Sequence, residues 1–182
     1  MRYIFFGTPD FAVIVLEKLI EAGMPPGLVV TNPDKPAGRK QVLTSSPVKA
    51  RIMNYELGIR NKIKIIQPEK LDSSLFIIPD LLFDVFVVVA YGKIIPKSIL
   101  DIPRLGTLNV HPSLLPKYRG PTPIQTAILN GDETTGVSVI LLDEETDHGP
   151  ILAQRELEIL SVSRRTTFKT LHDELANLGA EM

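Results

Sequence analysis

No cysteine occurs in the 182 residues, which excludes a disulfide framework, a thiolate nucleophile and any Cys-ligated zinc or iron–sulfur centre. Net charge is almost absent as well. Twenty Lys and Arg stand against 21 Asp and Glu, a formal charge of −1, so bulk electrostatics makes no case for nucleic acid. Long apolar runs are missing too. Tyr3–Phe6 is too short for the apolar centre of a secretory signal. Leu75–Ala90 is interrupted by Pro79, Asp80 and Asp84, well under the ~20 apolar residues that a membrane-spanning helix needs. A cytoplasmic protein without membrane association is the expectation. There is no internal repeat and no low-complexity tract. The remaining composition, 44% hydrophobic and 23% charged, is that of an ordinary globular chain. Its length suits one compact domain over residues 1–182.

Charge is unevenly spread even though it cancels overall. Residues 33–70 carry nine basic groups against three acids, and residues 132–158 carry eight acids against Arg155 alone. Such asymmetry points weakly to an anionic partner on one side. Short apolar runs at Tyr3–Phe6, Gly27–Val30, Ile63–Ile66, Val85–Val89 and Thr107–Val110 read as strands apolar on both faces, as parallel strands covered by helices are. Helical segments are expected at Phe11–Ala22, Pro47–Leu57 and Pro121–Leu129, the last two opening with proline in the first turn. Asp10 is placed to cap the first. The alternation predicts an α/β fold with a doubly wound, mostly parallel sheet. Val137–Leu142 and Ile151–Ile159, joined by an acidic loop, predict an antiparallel extension. Phe168, Leu171, Leu175 and Leu178 mark a closing helix that ends at Gly179.

Gly7 follows the first strand, where a dinucleotide fold carries its phosphate loop. Positions 7–12 read Gly-Thr-Pro-Asp-Phe-Ala rather than G-x-G-x-x-G, which argues against NAD or FAD. More informative is the run Asn109-Val110-His111-Pro112-Ser113-Leu114-Leu115-Pro116-Lys117-Tyr118-Arg119-Gly120. Strand side chains alternate with period two, so Asn109 and His111 share a face. They lie at the carboxyl end of a parallel strand, where open α/β sheets hold ligands. Asp147 falls on the turn between the last two strands. Together an amide, an imidazole and a carboxylate can polarise a carbonyl, move a proton and orient a base. From these residues alone the choice stays open, since Asn, His and Asp near loops commonly serve as hydrogen-bonded turn residues.

Taken together, these motifs resemble the folate-dependent formyltransferases over nearly the whole chain. Asn109-x-His111 with Ser113–Pro116 and Arg119-Gly120 matches the folate-site signature of that family, and Asp147 before Gly149-Pro150 matches its catalytic aspartate. Gly7–Phe11, Pro33–Arg39, Ser46–Lys49 and Gly120-x-x-Pro123-Ile124-Gln125 are similar to the members that act on methionyl initiator tRNA. The resemblance implies a Rossmann-like sheet and transfer of a formyl group from 10-formyltetrahydrofolate to the α-amine of that tRNA, supporting translation initiation. It implies catalytic roles for Asn109, His111 and Asp147: the amide as donor to the developing oxyanion, the histidine in charge stabilisation and proton transfer, the aspartate supporting the charged imidazole. It also implies a folate pocket from Val89, Ala90, Tyr91, Gly92, Ile94 and Ile95, with Ser113, Leu114, Leu115 and Pro116 and backbone near Leu142–Thr146.

Lys35, Arg39 and Lys40 sit in a long loop between the second strand and the next helix, and their positive excess suits phosphate contacts with the tRNA acceptor arm. No metal is expected: His111, His148 and His172 are the only histidines and form no ligand-spaced cluster. His148 reads as a solvent-facing loop residue. The resemblance implies that members continue into a C-terminal barrel domain, expected to be absent from residues 1–182, and a monomer is expected. The alternatives are a formyltransferase for another amine (glycinamide ribonucleotide or an amino sugar), a formyl-folate hydrolase, and a non-catalytic folate- or RNA-binding module.

Overall fold

A computed structural model describes residues 1–55, 63–76, 82–159 and 167–182. Its main sheet has seven strands: β1 (Tyr3–Gly7), β2 (Leu28–Val30), β5 (Lys64–Ile66), β6 (Val85–Val89), β7 (Thr107–His111), β8 (Thr134–Leu141) and β9 (Ile151–Glu158). They run in the order β5-β2-β1-β6-β7-β8-β9. The first five are parallel; β8 and β9 are antiparallel, as the acidic connection between them predicts. The chain winds outward from β1 through β2 to β5, then returns to β6 on the other side of β1. The winding therefore reverses between β1 and β6, where a crevice opens at the carboxyl ends of open α/β sheets.

Period two divides β1 between the two faces. Tyr3 and Phe5 join a core with Phe11, Val15 and Leu16 of α1 (Asp10–Glu21) and with Leu171 and Leu175 of α5 (Phe168–Ala180). Ile4 and Phe6 join the opposite core with Phe76, Phe86, Tyr91 and Ile99. Gly7 is required by space rather than by a turn. A Cβ there would lie 2.6 Å from the Phe5 ring and 2.7 Å from Ala12 Cβ, so glycine lets α1 settle on the strand end.

Several expectations need correction. Asp10 does not cap α1: Pro9 occupies that position without a side-chain cap, and Asp10 is the first helical residue. Helix α2 is Pro47–Met53, with Ser46 Oγ accepting from Lys49 N–H at 3.2 Å and Asn54 ending it; positions 56–57 of the expected helix lie outside the described residues. Helix α4 is Pro123–Leu129, beginning two residues late because a residue preceding proline is driven out of helical geometry. Gly179 does not end α5 but lies within it. Its missing side chain lets the helix close on β7 and β8, where a Cβ would meet Val110 Cγ1 at 2.5 Å and Val137 Cγ1 at 3.3 Å. The stretch expected as an irregular loop around Lys35 is a hairpin, β3 (Lys35–Ala37) with β4 (Val42–Thr44). The short helix α3 (Lys97–Leu100) and a 3₁₀ turn at Ser73–Phe76 carry too few residues to show a period. No helix among the described residues is long and apolar enough to cross a membrane.

Candidate active site

A cavity of about 620 Å³ opens at the reversal of the sheet, within the size range of small-molecule sites. Residues following three strands build it: Pro9 and Phe11 after β1, Ala90–Ile95 after β6, and Pro112 with Gly120 and Pro121 after β7. Asn109 and His111 line it from β7 and are 8% and 5% exposed. Asp147 reaches it from the β8–β9 connection with φ +47°, a left-handed conformation that Asp tolerates better than most residues.

Asp147 is the hub. Its Oδ1 accepts from Asn109 Nδ2 at 3.1 Å, and its Oδ2 accepts from the Gly120 backbone N–H at 2.9 Å. The same Oδ2 faces His111 Nδ1 at 3.5 Å, an ion-pair separation rather than a close hydrogen bond. The other ring nitrogen, Nε2, lies 2.9 Å from the Tyr118 carbonyl. A carbonyl only accepts, so Nε2 carries a proton. With acceptors opposite both nitrogens, the ring donates to both only as the imidazolium.

The loop carrying these contacts is braced twice. Ser138 Oγ donates to Ser113 O at 2.6 Å and accepts from Leu115 N–H at 2.9 Å, while Gln154 Nε2 bonds both Ser138 Oγ and Leu115 O at 2.8 Å. Farther along, Asp132 takes Lys117 Nζ at 2.9 Å and Tyr118 Oη at 2.8 Å, and these two bonds hold its carboxyl below the usual range. Ser138 is fully buried. Ser138→Ala should therefore cost about 1–3 kcal/mol by leaving Leu115 N–H and Ser113 O unpaired. A urea melt checks this, with turnover falling less than in the variants of Asn109 or Asp147.

Ala90, Tyr91, Gly92, Ile94 and Ile95 line the cavity, together with Leu142–Thr146. Ala90 (φ +46°) and Gly92 (φ +80°) turn the chain sharply after β6, and Ile94 is left 86% exposed at the rim. Tyr91 is buried with its hydroxyl unpaired among the described residues, and burial pushes its pKa up to about 12, so it is a neutral wall. Val89, Ser113, Leu114, Leu115 and Pro116 do not line the cavity. Val89 points into the α1 core, and residues 113–116 are taken up by the braces to β8 and β9. His148 is exposed and bonds Asp143 at 2.7 Å, which holds the Asp143 carboxyl low. Lys35, Arg39 and Lys40 are exposed on the hairpin, apart from the cavity lining. No group of three or more His, Asp or Glu among the described residues is arranged to hold a metal.

Some wall residues carried no signal of a site in the sequence. Phe11, Phe168 and His172 read as helix residues, yet Phe11 and Phe168 pack against the His172 ring at 5.3 and 5.5 Å between centroids, and all three line the cavity. The contributions of Tyr118 and Gly120 are backbone atoms, which residue type does not reveal.

A doubly wound α/β sheet holds an amide, an imidazole and a carboxylate together at its crevice, groups that can polarise a carbonyl and move a proton. The chain belongs to the formyl transferase family, whose model matches residues 1–182. It is 47% identical over 182 residues to the methionyl-tRNA formyltransferase of Halorhodospira halophila and 47% identical over 183 residues to that of Clostridioides difficile, each alignment covering all of this chain and 56% of the relative. The chain thus spans little more than half the length of these relatives. Among solved structures, the phosphoribosylglycinamide formyltransferase of Bacillus halodurans superposes with a TM-score of 0.72 at 23% identity, covering 100% of this chain and 91% of that one. An N-formyltransferase from Helicobacter canadensis, in complex with folinic acid and dTDP-3-aminofucose, gives 0.65 at 20% identity, covering 100% and 60%. These likenesses concern the fold.

Proposed function

We propose that this chain carries the catalytic unit that transfers a formyl group from 10-formyltetrahydrofolate to the α-amine of methionyl initiator tRNA, a cytoplasmic step in translation initiation. The observation that carries the reading is the Asp147 carboxylate, held at once by Asn109 and Gly120 and facing His111 in the wall of a 620 Å³ cavity. The folate supplies the formyl carbon. Each residue then has a task set by its contacts. Asn109 Nδ2 carries two N–H bonds and spends one on Asp147, leaving the second for an oxygen that gains negative charge. His111 is anchored through Nε2, and its more loosely held Nδ1 can exchange a proton or turn toward that oxygen. Asp147 supports the imidazolium and can pass the proton released by the attacking amine to the folate nitrogen, which leaves as its bond to the formyl carbon breaks. The folate wall is Ala90–Ile95 with Leu142–Thr146, apolar surface beside polar groups.

The test is an acceptor screen with formyl-folate. Methionyl initiator tRNA is expected to give the highest kcat/KM among elongator methionyl-tRNA, glycinamide ribonucleotide, an amino sugar nucleotide and water. A preference for any of the others overturns the acceptor assignment. A second expectation concerns Lys35, Arg39 and Lys40, which we assign to acceptor-arm phosphates. Replacing all three by alanine should weaken tRNA binding and flatten its salt dependence, by roughly 0.7–0.9 in log–log slope for each lost contact. Folate binding should be unchanged. An unaltered slope removes the hairpin from tRNA binding.

A further inference from the structure

Tyr118 sits at φ +58°, a left-handed conformation that a bulky side chain disfavours. That conformation decides where its carbonyl points. The carbonyl meets His111 Nε2 at 2.9 Å, and two residues later the Gly120 N–H, at φ +96°, meets Asp147 Oδ2 at 2.9 Å. One turn thus grips both the imidazole and the carboxylate that faces it. Glycine adopts such a backbone without steric cost. Tyrosine does not, so its own side chain must hold it there. The phenol oxygen donates to Asp132 Oδ2 at 2.8 Å and accepts from Asn130 Nδ2 at 2.8 Å, so its donor role and an acceptor role are both filled. Lys117 Nζ lies 4.8 Å from the ring centroid and 2.9 Å from the same Asp132 oxygen. Asn130 ends α4 and Asp132 precedes β8, while the Asp132 N–H is tied to Ala127 O at 3.0 Å. The phenol is therefore pinned to a helix–strand connection outside the loop it holds.

We propose that Tyr118 is a positioning residue for His111: its phenol, latched to Asp132 and Asn130, fixes the backbone carbonyl that keeps the histidine proton on Nε2 and leaves Nδ1 as the nitrogen that takes up a proton. This rests on the formyl-transfer reading above and deepens it. Nδ1 faces the Asp147 carboxylate at 3.5 Å. In the neutral ring held in this tautomer, a nitrogen lone pair and a carboxylate oppose each other. Protonating Nδ1 removes that opposition and replaces it with charge attraction. Released from the carbonyl, the ring would place its one proton on Nδ1, toward Asp147, and the bare nitrogen would be Nε2, which faces the Tyr118 loop instead. The latch thus selects which nitrogen is the base. It leaves the folate wall at Ala90–Ile95 and Leu142–Thr146 alone.

The experiment reads the His111 tautomer by NMR of its ring nitrogens, in the full chain without substrate and at a pH above the histidine titration. Turnover is measured alongside, with formyl-folate and the acceptor that the screen above selects. The parent should show a protonated Nε2 and a bare Nδ1. Tyr118→Phe keeps the ring and removes both phenol bonds. It should move the histidine toward a mixture of tautomers and lower kcat roughly 3- to 30-fold, short of the ~10²-fold that a 1 Å misplacement can cost. Its KM for formyl-folate should stay at the parent value. Asp132→Ala should move both readouts in the same direction. Lys117→Met takes a charge from the same cluster but spares the phenol–carboxylate bond, so its tautomer and kcat should match the parent. A parent ring protonated on Nδ1 overturns the proposal. So does a parental tautomer in folded Tyr118→Phe, whatever that variant loses in a urea melt, because the tyrosine is then a brace alone. A shifted tautomer with parental kcat overturns the positioning role, and equal shifts in Lys117→Met and Tyr118→Phe overturn the part given to the phenol. Failure of the formyl-transfer reading shows separately, as a parent inactive with every acceptor in the screen, since the tautomer is read without substrate.

Discussion

Asp147→Asn should lower kcat by on the order of 10²- to 10³-fold while the protein stays folded and binds formyl-folate as before. The substitution is nearly isosteric, and asparagine tolerates the positive φ of this position, so backbone strain does not enter. What changes is hydrogen-bond capacity. Both carboxylate oxygens accept, one from Asn109 and one from Gly120. The asparagine amide has a single acceptor oxygen, so its NH₂ must face one of those two donors. The negative charge opposite His111 Nδ1 also disappears, and with it the support for an imidazolium during proton transfer. Thermal melting and folate titration check the fold; single-turnover rates check the chemistry. A folded variant with near-parental kcat would remove Asp147 from the mechanism.

Asn109→Ala is expected to cost a comparable 10²- to 10³-fold in kcat, the typical loss on removing one oxyanion donor. Asn109 sits in β7 between two paired strands, opposite Val88 on one side and Ile140 on the other. The backbone that places it is therefore held independently of its side chain. Truncation removes the donor to Asp147 Oδ1 and the second N–H assigned to the formyl oxygen. KM for formyl-folate should change little, because the folate wall proposed above lies in the segments after β6 and β8. Asn109→Asp is the sharper control. It preserves size and sets a second carboxylate about 3.1 Å from Asp147 Oδ1, where two negative charges oppose each other. Its kcat should fall at least as far as that of the alanine variant. Turnover by Asn109→Ala within a fewfold of the parent would contradict the oxyanion assignment.

Much of this protein is written in local pattern. The apolar runs at Tyr3–Phe6 and Val85–Val89 lack a polar face, and strands of that kind are stable only with helices on both sides, as found here. Asn109 and His111, two apart on a strand, share a face by pleat geometry alone. Motif resemblance then supplied the aspartate 38 residues away, a pairing that no local period contains.

Tertiary structure decided whatever depends on which segments become neighbours. Residues 113–116 carry a family motif, and only the placement of β8 beside β7 brings Ser138 to brace that segment through Leu115 N–H and Ser113 O. Gly179 looked like a helix end, but it lies within α5, where Val110 and Val137 leave no room for a Cβ. Asp34 is one of three acids among nine basic groups in residues 33–70, and the side-by-side placement of β2 and β5 brings Gln67 Nε2 within 2.7 Å of it. Propensity and periodicity reach a few residues along the chain, whereas these contacts depend on strand order, and strand order is set by burial across the whole sheet.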